Sequence, residues 1–389
     1  MNQQPQLMDI TWNEERLKRD RLARLRAEMR SRNVGALLLT SWVSGRYALN
    51  VRVPSGEAFV PVEGDPIYFV RPMDAGYVEL ANIKTDKYIY EHNPSDPEGE
   101  KKAKRWADSV ADLMAQYGVA EQALGVDTME PEGTLALANR GLKLMNARTV
   151  LQRAAAIKTQ DEVLIYWEMG KLYDRIMSKF RDDIAPGISE REMISRVYSN
   201  VVSMGGEGLL QINVCAGEDT WPWRRWPTNK RFEDGDLVGM DLHVYGPGGY
   251  IYDSSRTYLC GSKANAKQKE LYRIAHDYNN ACIELLKPGM AIPEWVERLP
   301  QVSDKHREAA YTFHIIHSTG LTPGEYPNVV KQRKPVEDTF KENQVLVLDC
   351  YFGEEGYDQA VKLEEQVVIT KTGAVKMANM PYDERLLAA

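Results

Sequence analysis

The stretch MDLHVYGPGGYIYDSSRT, residues 240–257, carries two aspartates, Asp241 and Asp253, on either side of a Gly/Pro turn. VGM just before Asp241 and YIY just before Asp253 are apolar and read as buried strand, so the segment is predicted to be a hairpin. Folding it at Pro247 sets residue 241 opposite residue 253, each six positions from the turn. Carboxylates that face each other so closely repel unless a cation or a shared proton compensates. A divalent metal is the simplest compensation. His243 lies two residues from Asp241 and shares its face of the strand. A polar, solvent-facing hairpin with Asp253 capping the turn is the plainer alternative. The apolar neighbours count against it, because a buried aspartate needs a partner.

Further along lie three more residues of ligand type. His317 stands in FHIIHSTGL, where Ser-Thr-Gly marks a tight turn and would leave the imidazole at a strand end facing a cleft. Singly, His314 or His317 reads equally well as a satisfied core histidine. Asp349 ends the apolar run VLVLD, and Glu364 sits in VKLEEQVVI, where alternation puts Lys362, Glu364 and Gln366 on one face. Alone, Glu364 reads as an exposed strand carboxylate. Jointly, four carboxylates and one imidazole, with His243 nearby, form an oxygen-rich set suited to Fe, Mn, Co or Zn, as one ion or two. TWPWRRWPTNK adds Trp221, Trp223, Arg224, Arg225 and Trp226. Indole faces hold onium cations and guanidinium groups clamp carboxylates. Arg–Trp stacking that stiffens a loop, or burial at a subunit interface, would explain the same residues.

At 389 residues the chain has room for two domains with cores of their own. A net charge of −7 argues against nucleic acid as the main partner. No apolar run approaches the roughly 20 residues of a membrane span, and the N-terminal residues show no apolar signal region, so a cytoplasmic enzyme with no membrane partner is expected. The four cysteines have no paired short spacing, which excludes a zinc ribbon or a CxxC motif. Strands such as GALLLT and ALGVD alternate with helices through residues 1–150, giving an α/β first domain. Helices over 151–204, then strands and hairpins interrupted by the helix NAKQKELYRIAHDYNNACIELL, give an α+β second domain over 151–389.

These motifs resemble the creatinase/aminopeptidase P family, the "pita-bread" metalloenzymes. The ligand positions of that family, Asp, Asp, His, Glu, Glu in order, match Asp241, Asp253, His317, Asp349 and Glu364. EDGDLVGMD, DSSRTYLCG, LKPGM, HSTGL, VKLEEQVVITKTG and the entry segment AAAIKTQDEV also fit. The resemblance implies an N-terminal α/β creatinase-type domain, a C-terminal pita-bread α+β domain, a divalent metal and a homodimer. Asp349 departs from the family's glutamate by one methylene. The histidine after the ligand histidine and the histidine in the loop before the first aspartate, both found in peptidases, are absent from GLTPGEYPNVV and WPWRRWPTNK. Among non-peptidase branches the chain looks most like dimethylsulfoniopropionate lyases. There an acid two residues after the first aspartate stands where this chain has His243, and the base near the ligand histidine is matched only by the displaced Glu325.

The resemblance therefore implies a lyase acting on a small carboxylated, onium-type substrate, with Glu325, Asp349 and His314 as catalytic candidates. Tyr326 joins the tryptophan loop as a candidate substrate contact. A hydrolase of the same fold, cutting a C–N bond in a peptide or cyclic amidine, is the first alternative. A catalytically silent binding protein is the second.

Overall fold

The computed structural model describes residues 10–53, 56–79, 83–87, 96–306, 314–320, 325–330 and 333–388. It divides into two compact units, one of residues 13–155 and one in which residues 10–12 join 156–388. The first unit runs α1 (Glu14–Ser31), β1 (Val34–Leu39), α2 (Trp42–Leu49), β2 (Glu57–Pro61), β3 (Ile67–Val70), α3 (Ala75–Glu79), β4 (Lys84–Lys87), α4 (Gly99–Gln116), β5 (Ala123–Val126), α5 (Pro131–Asn139), β6 (Leu144–Asn146) and α6 (Arg148–Ala155). Its six-stranded sheet has the order β4-β3-β2-β1-β5-β6. Every residue of VGALLL in β1 is buried, as an unbroken apolar run implies for a central strand. The last helix of this unit, residues 148–155, carries it to Ala155. The short elements α2, β4 and β6 had no periodicity long enough to announce them.

The second unit runs α7 (Gln160–Asp183), α8 (Glu190–Ser203), β7 (Gly208–Ala216), β8 (Leu237–Tyr245), β9 (Ile251–Leu259), α9 (Ala266–Leu285), α10 (Ile292–Glu297), β10 (His314–Ser318), β11 (Glu325–Val330), β12 (Val345–Phe352), β13 (Val361–Ile369), β14 (Ala374–Lys376) and α11 (Glu384–Leu387). Thr159 and Glu162 of KTQDEV close a reciprocal cap on α7, which explains where that long helix begins. A three-stranded sheet β7-β8-β9 lies against a five-stranded sheet β11-β10-β12-β13-β14.

Side chains, not a shared ladder, tie the two sheets together. Ser254 Oγ and Arg256 Nη1 donate to the Glu364 carbonyl, Thr257 Oγ1 donates to the Lys362 carbonyl, and the Asp253 amide donates to Gln366 Oε1. The result fixes β9 against β13 in one register. The β8–β9 hairpin forms as expected, but its register is shifted by two residues. His243 opposes Asp253, and Asp241 opposes Ser255. The turn spans Gly246–Tyr250, closed by the Gly246 amide on the Tyr250 carbonyl and centred on Gly248 at φ 72°, so Pro247 is not its tip. A shift of two preserves side-chain parity, so both aspartates still share one face.

Candidate metal centre

β8, β9, β12 and β13 deliver the predicted carboxylates to a single buried cluster. Tyr173 of α7 places its hydroxyl 2.6 Å from the carbonyls of Leu242 and Ser254, which holds the two hairpin strands from behind. His243 Nε2 lies 3.0 Å from Asp253 Oδ1 and 3.4 Å from Asp241 Oδ1. His317, near the end of β10, sets its Nε2 3.6 Å from Asp253 Oδ2. Its Nδ1 lies 3.2 Å from the Ser318 carbonyl. A carbonyl only accepts, so that contact puts the proton on Nδ1 and turns the Nε2 lone pair toward Asp253 and the cluster. Asp349 pairs directly across from Glu364 in the β12–β13 ladder. Thus Asp241, Asp253, His317, Asp349 and Glu364 come together, with His243 among them.

Lys362 completes the cluster, and its role was not foreseen. It is 2% exposed, with Nζ 3.1 Å from Asp241 Oδ2, 3.6 Å from Asp349 Oδ1 and in contact with Glu364 Oε1. The alternation of β13 had placed it beside Glu364, but a lysine is ordinarily a surface residue and carried no signal of burial. Asn213 of β7 adds a long contact, Nδ2 to Asp241 Oδ2 at 3.4 Å.

The charges are unequal. Burial works to raise the Asp241 carboxyl, but Lys362 and His243 hold it well below the usual carboxylate range. Burial works against charging His243, yet Asp253 and Asp241 push it up to about 10. Burial and the neighbouring Asp349, Asp241 and Asp253 drive Glu364 far up, against Lys362. Burial likewise raises Asp349. Asp241 Oδ1, Asp253 Oδ1, Asp349 Oδ1 and Glu364 Oε2 are buried and accept no hydrogen bond among the described residues. Buried oxygens without donors are costly, and four in one cluster beside two imidazoles are the donor set a divalent cation needs. Asp241, His243 and Asp253 offer ligand atoms within 4.8 Å of one another.

The remaining candidates divide. Trp221 and Trp223 pack on Tyr351 of β12, with ring centroids 5.6 and 5.8 Å away, and Trp223 lies over Gly239, where a Cβ would come within 2.5 Å of the indole. Arg224 is tied to Asp219 at 2.7 Å, while Arg225 and Trp226 face solvent, Trp226 at 84% exposure. The tryptophan loop therefore contributes two indoles to the site's surroundings and sends the rest outward. Glu325 is buried and lies 3.8 Å from the fully buried Lys158 Nζ, packed against Gly320. The Tyr326 hydroxyl donates to Asp338 Oδ2. The backbone of His314 opens β10, and its side chain lies outside the described residues.

The pattern of the Creatinase/Prolidase N-terminal domain matches residues 21–157, and that of metallopeptidase family M24 matches residues 165–371. The chain belongs to family M24. M24 enzymes are metal-dependent, in keeping with the orphaned oxygens of the cluster. A dimethylsulfoniopropionate lyase, DddP of Roseovarius nubinhibens, is 24% identical over 96% of this chain and 88% of its own length. The Xaa-Pro dipeptidase of Pyrococcus furiosus is 28% identical over 59% of this chain and 64% of its own. In three dimensions the prolidase of Pyrococcus horikoshii OT3 superposes with a TM-score of 0.77 at 20% identity, over 93% of this chain and 99% of that one. The pita-bread expectation is thereby met.

Proposed function

We propose that this M24 enzyme is a lyase that cleaves a C–S or C–N bond β to the carboxylate of a small onium substrate. The observation that carries the reading is the wall of Trp221, Trp223 and Tyr351 beside an anionic cluster. Aromatic faces and an excess of carboxylates both favour a cationic group. Similarity to a dimethylsulfoniopropionate lyase along nearly the whole chain supports it, as does the absence of histidine from residues 318–330 and 219–240.

Asp241, His243, Asp253 and His317 would hold the ion, with Asp349 and Glu364 completing the set. Bound there, a divalent ion supplies Lewis-acid polarisation of the substrate carboxylate. Asp349, raised by burial, suits a base that takes the α-proton. The C–H pair then becomes the alkene and the β C–S or C–N bond breaks, so the onium leaves as a neutral sulfide or amine. Glu325, held beside Lys158, is the weaker base candidate.

The test is product analysis with the metal-loaded enzyme in ¹⁸O water, offering onium propionates and Xaa-Pro dipeptides in parallel. An alkene product free of ¹⁸O supports the lyase. Free amino acids carrying ¹⁸O would replace it with the hydrolase reading, which similarity to Xaa-Pro dipeptidases favours. Asp349→Asn is expected to lower kcat at least ~10²-fold, and Glu325→Gln to retain most activity.

A further inference from the structure

We propose that the Lys362 ammonium occupies the place of one of two metal ions in this cluster, so that the enzyme takes a single divalent ion. The inference rests on the metal-dependent reading above. Lys362 and Glu364 stand two apart on β13 and point to the same face. The Lys362 Nζ already meets Asp241 Oδ2, Asp349 Oδ1 and Glu364 Oε1, one oxygen from each of three strands. An ion drawing on Asp241 Oδ2 and Glu364 Oε1 would sit roughly 2 Å from each, in space that this ammonium fills. The face of Trp223, 5.9 Å from Nζ, and 2% exposure leave the lysine no route of retreat to water without repacking.

The oxygens that Lys362 does not reach mark where the single ion goes. Asp241 Oδ1 and Asp253 Oδ1 take no well-formed hydrogen bond among the described residues and face His243 Nε2 at 3.4 and 3.0 Å. Lys362 thus acts as a fixed cation that sets the ion count and orients Glu364 and Asp349.

The experiment equilibrates wild type and Lys362→Met, which keeps most of the aliphatic stem, with Mn²⁺ or Zn²⁺ and counts bound metal per chain by elemental analysis. One ion in wild type and two in the variant are expected. Equal counts in the two proteins, or two ions in wild type, would overturn the proposal. No ion in wild type would overturn it as well, and with it the metal dependence on which the proposed function rests; one ion in wild type with one in the variant would overturn it alone. A variant that folds only when metal is supplied upholds the proposal. Should Lys362→Met not fold at all, the Mn²⁺ spectrum of wild type by electron paramagnetic resonance decides. An isolated ion agrees with the proposal, and an exchange-coupled pair contradicts it.

Discussion

Glu364 and Glu365 are neighbours on one strand, both almost fully buried, and their carboxyls are driven in opposite directions. Glu365 points to the face where cations are in surplus. Its Oε1 accepts from Arg256 Nη2 at 2.6 Å, Tyr382 at 2.6 Å and Lys376 at 3.2 Å. Burial would raise it, but Arg256 and Lys376 hold it below the usual carboxylate range. Glu364 points to the face where four carboxylates meet one lysine and one bridging imidazole, and it is driven up. Glu365 Oε2 also lacks a donor among the described residues, so the two faces differ in charge: two cations meet one carboxylate on the first, while one lysine and one imidazole meet four carboxylates on the second.

The largest effects should come from breaking the carboxylate-rich face. Asp253→Ala removes the carboxylate that touches both His243 and His317. Bound metal, read by elemental analysis, should fall to the background level and kcat/KM by more than about 100-fold, which corresponds to about 2.7 kcal/mol of transition-state stabilisation. A variant that kept its metal would place the ion elsewhere.

The cation-rich face should respond in the opposite sense. Arg256→Met leaves Glu365 buried with reduced compensation, a change that typically costs about 3–5 kcal/mol. Lys376 and Tyr382 remain as partners, so the lower end is expected, measured as a fall in the denaturant midpoint. Metal content should hold in the variant that folds. Adding Glu365→Leu should recover much of the loss, because an apolar pair can replace a buried ion pair at small cost. If the double variant were no better than the single, Arg256 would matter mainly through its bond to the Glu364 carbonyl, and the two faces would not be independent.

How much of this was legible follows from periodicity and reach. The alternation of β13 was enough to put Lys362, Glu364 and Gln366 on one side, and the structure agrees. The register of the β8–β9 hairpin was not legible, because GPGG permits several turns and only the closure by Gly246 and Tyr250 selects the five-residue one. Parity survived the error, so the site did too. Lys362 was visible but silent. Nothing in the letters VKLEEQ shows that β9 covers the strand through Ser254, Arg256 and Thr257. The tryptophan loop was legible as a cluster with either a recognition or a packing role, but not which indoles turn inward: Trp221 and Trp223 lie against glycines, Gly353 and Gly239, where a Cβ would meet the indole.

The smallest expected effect adds a third kind of buried carboxyl, one with neither cation nor cluster. Glu57 of β2, 3% exposed, accepts a 2.7 Å hydrogen bond from Trp106 Nε1. Burial pushes it up to about 8, with Asp127 adding to the rise and the Trp106 bond opposing it. In the unfolded chain the same group ionises near its ordinary value of 4.5. Between those two pH values the native state binds the proton that the unfolded state has lost, so stability falls as pH rises through that window and levels off above it. Glu57→Gln keeps an oxygen for Trp106 and removes the ionisation. It should therefore match wild type near pH 4.5 and be the more stable of the two at pH 8.5. Denaturation midpoints across that range read the difference. Parallel curves for the two proteins would mean that Glu57 sits ionised in the native state, and that a neutral indole donor suffices where Glu365 uses an arginine and a lysine.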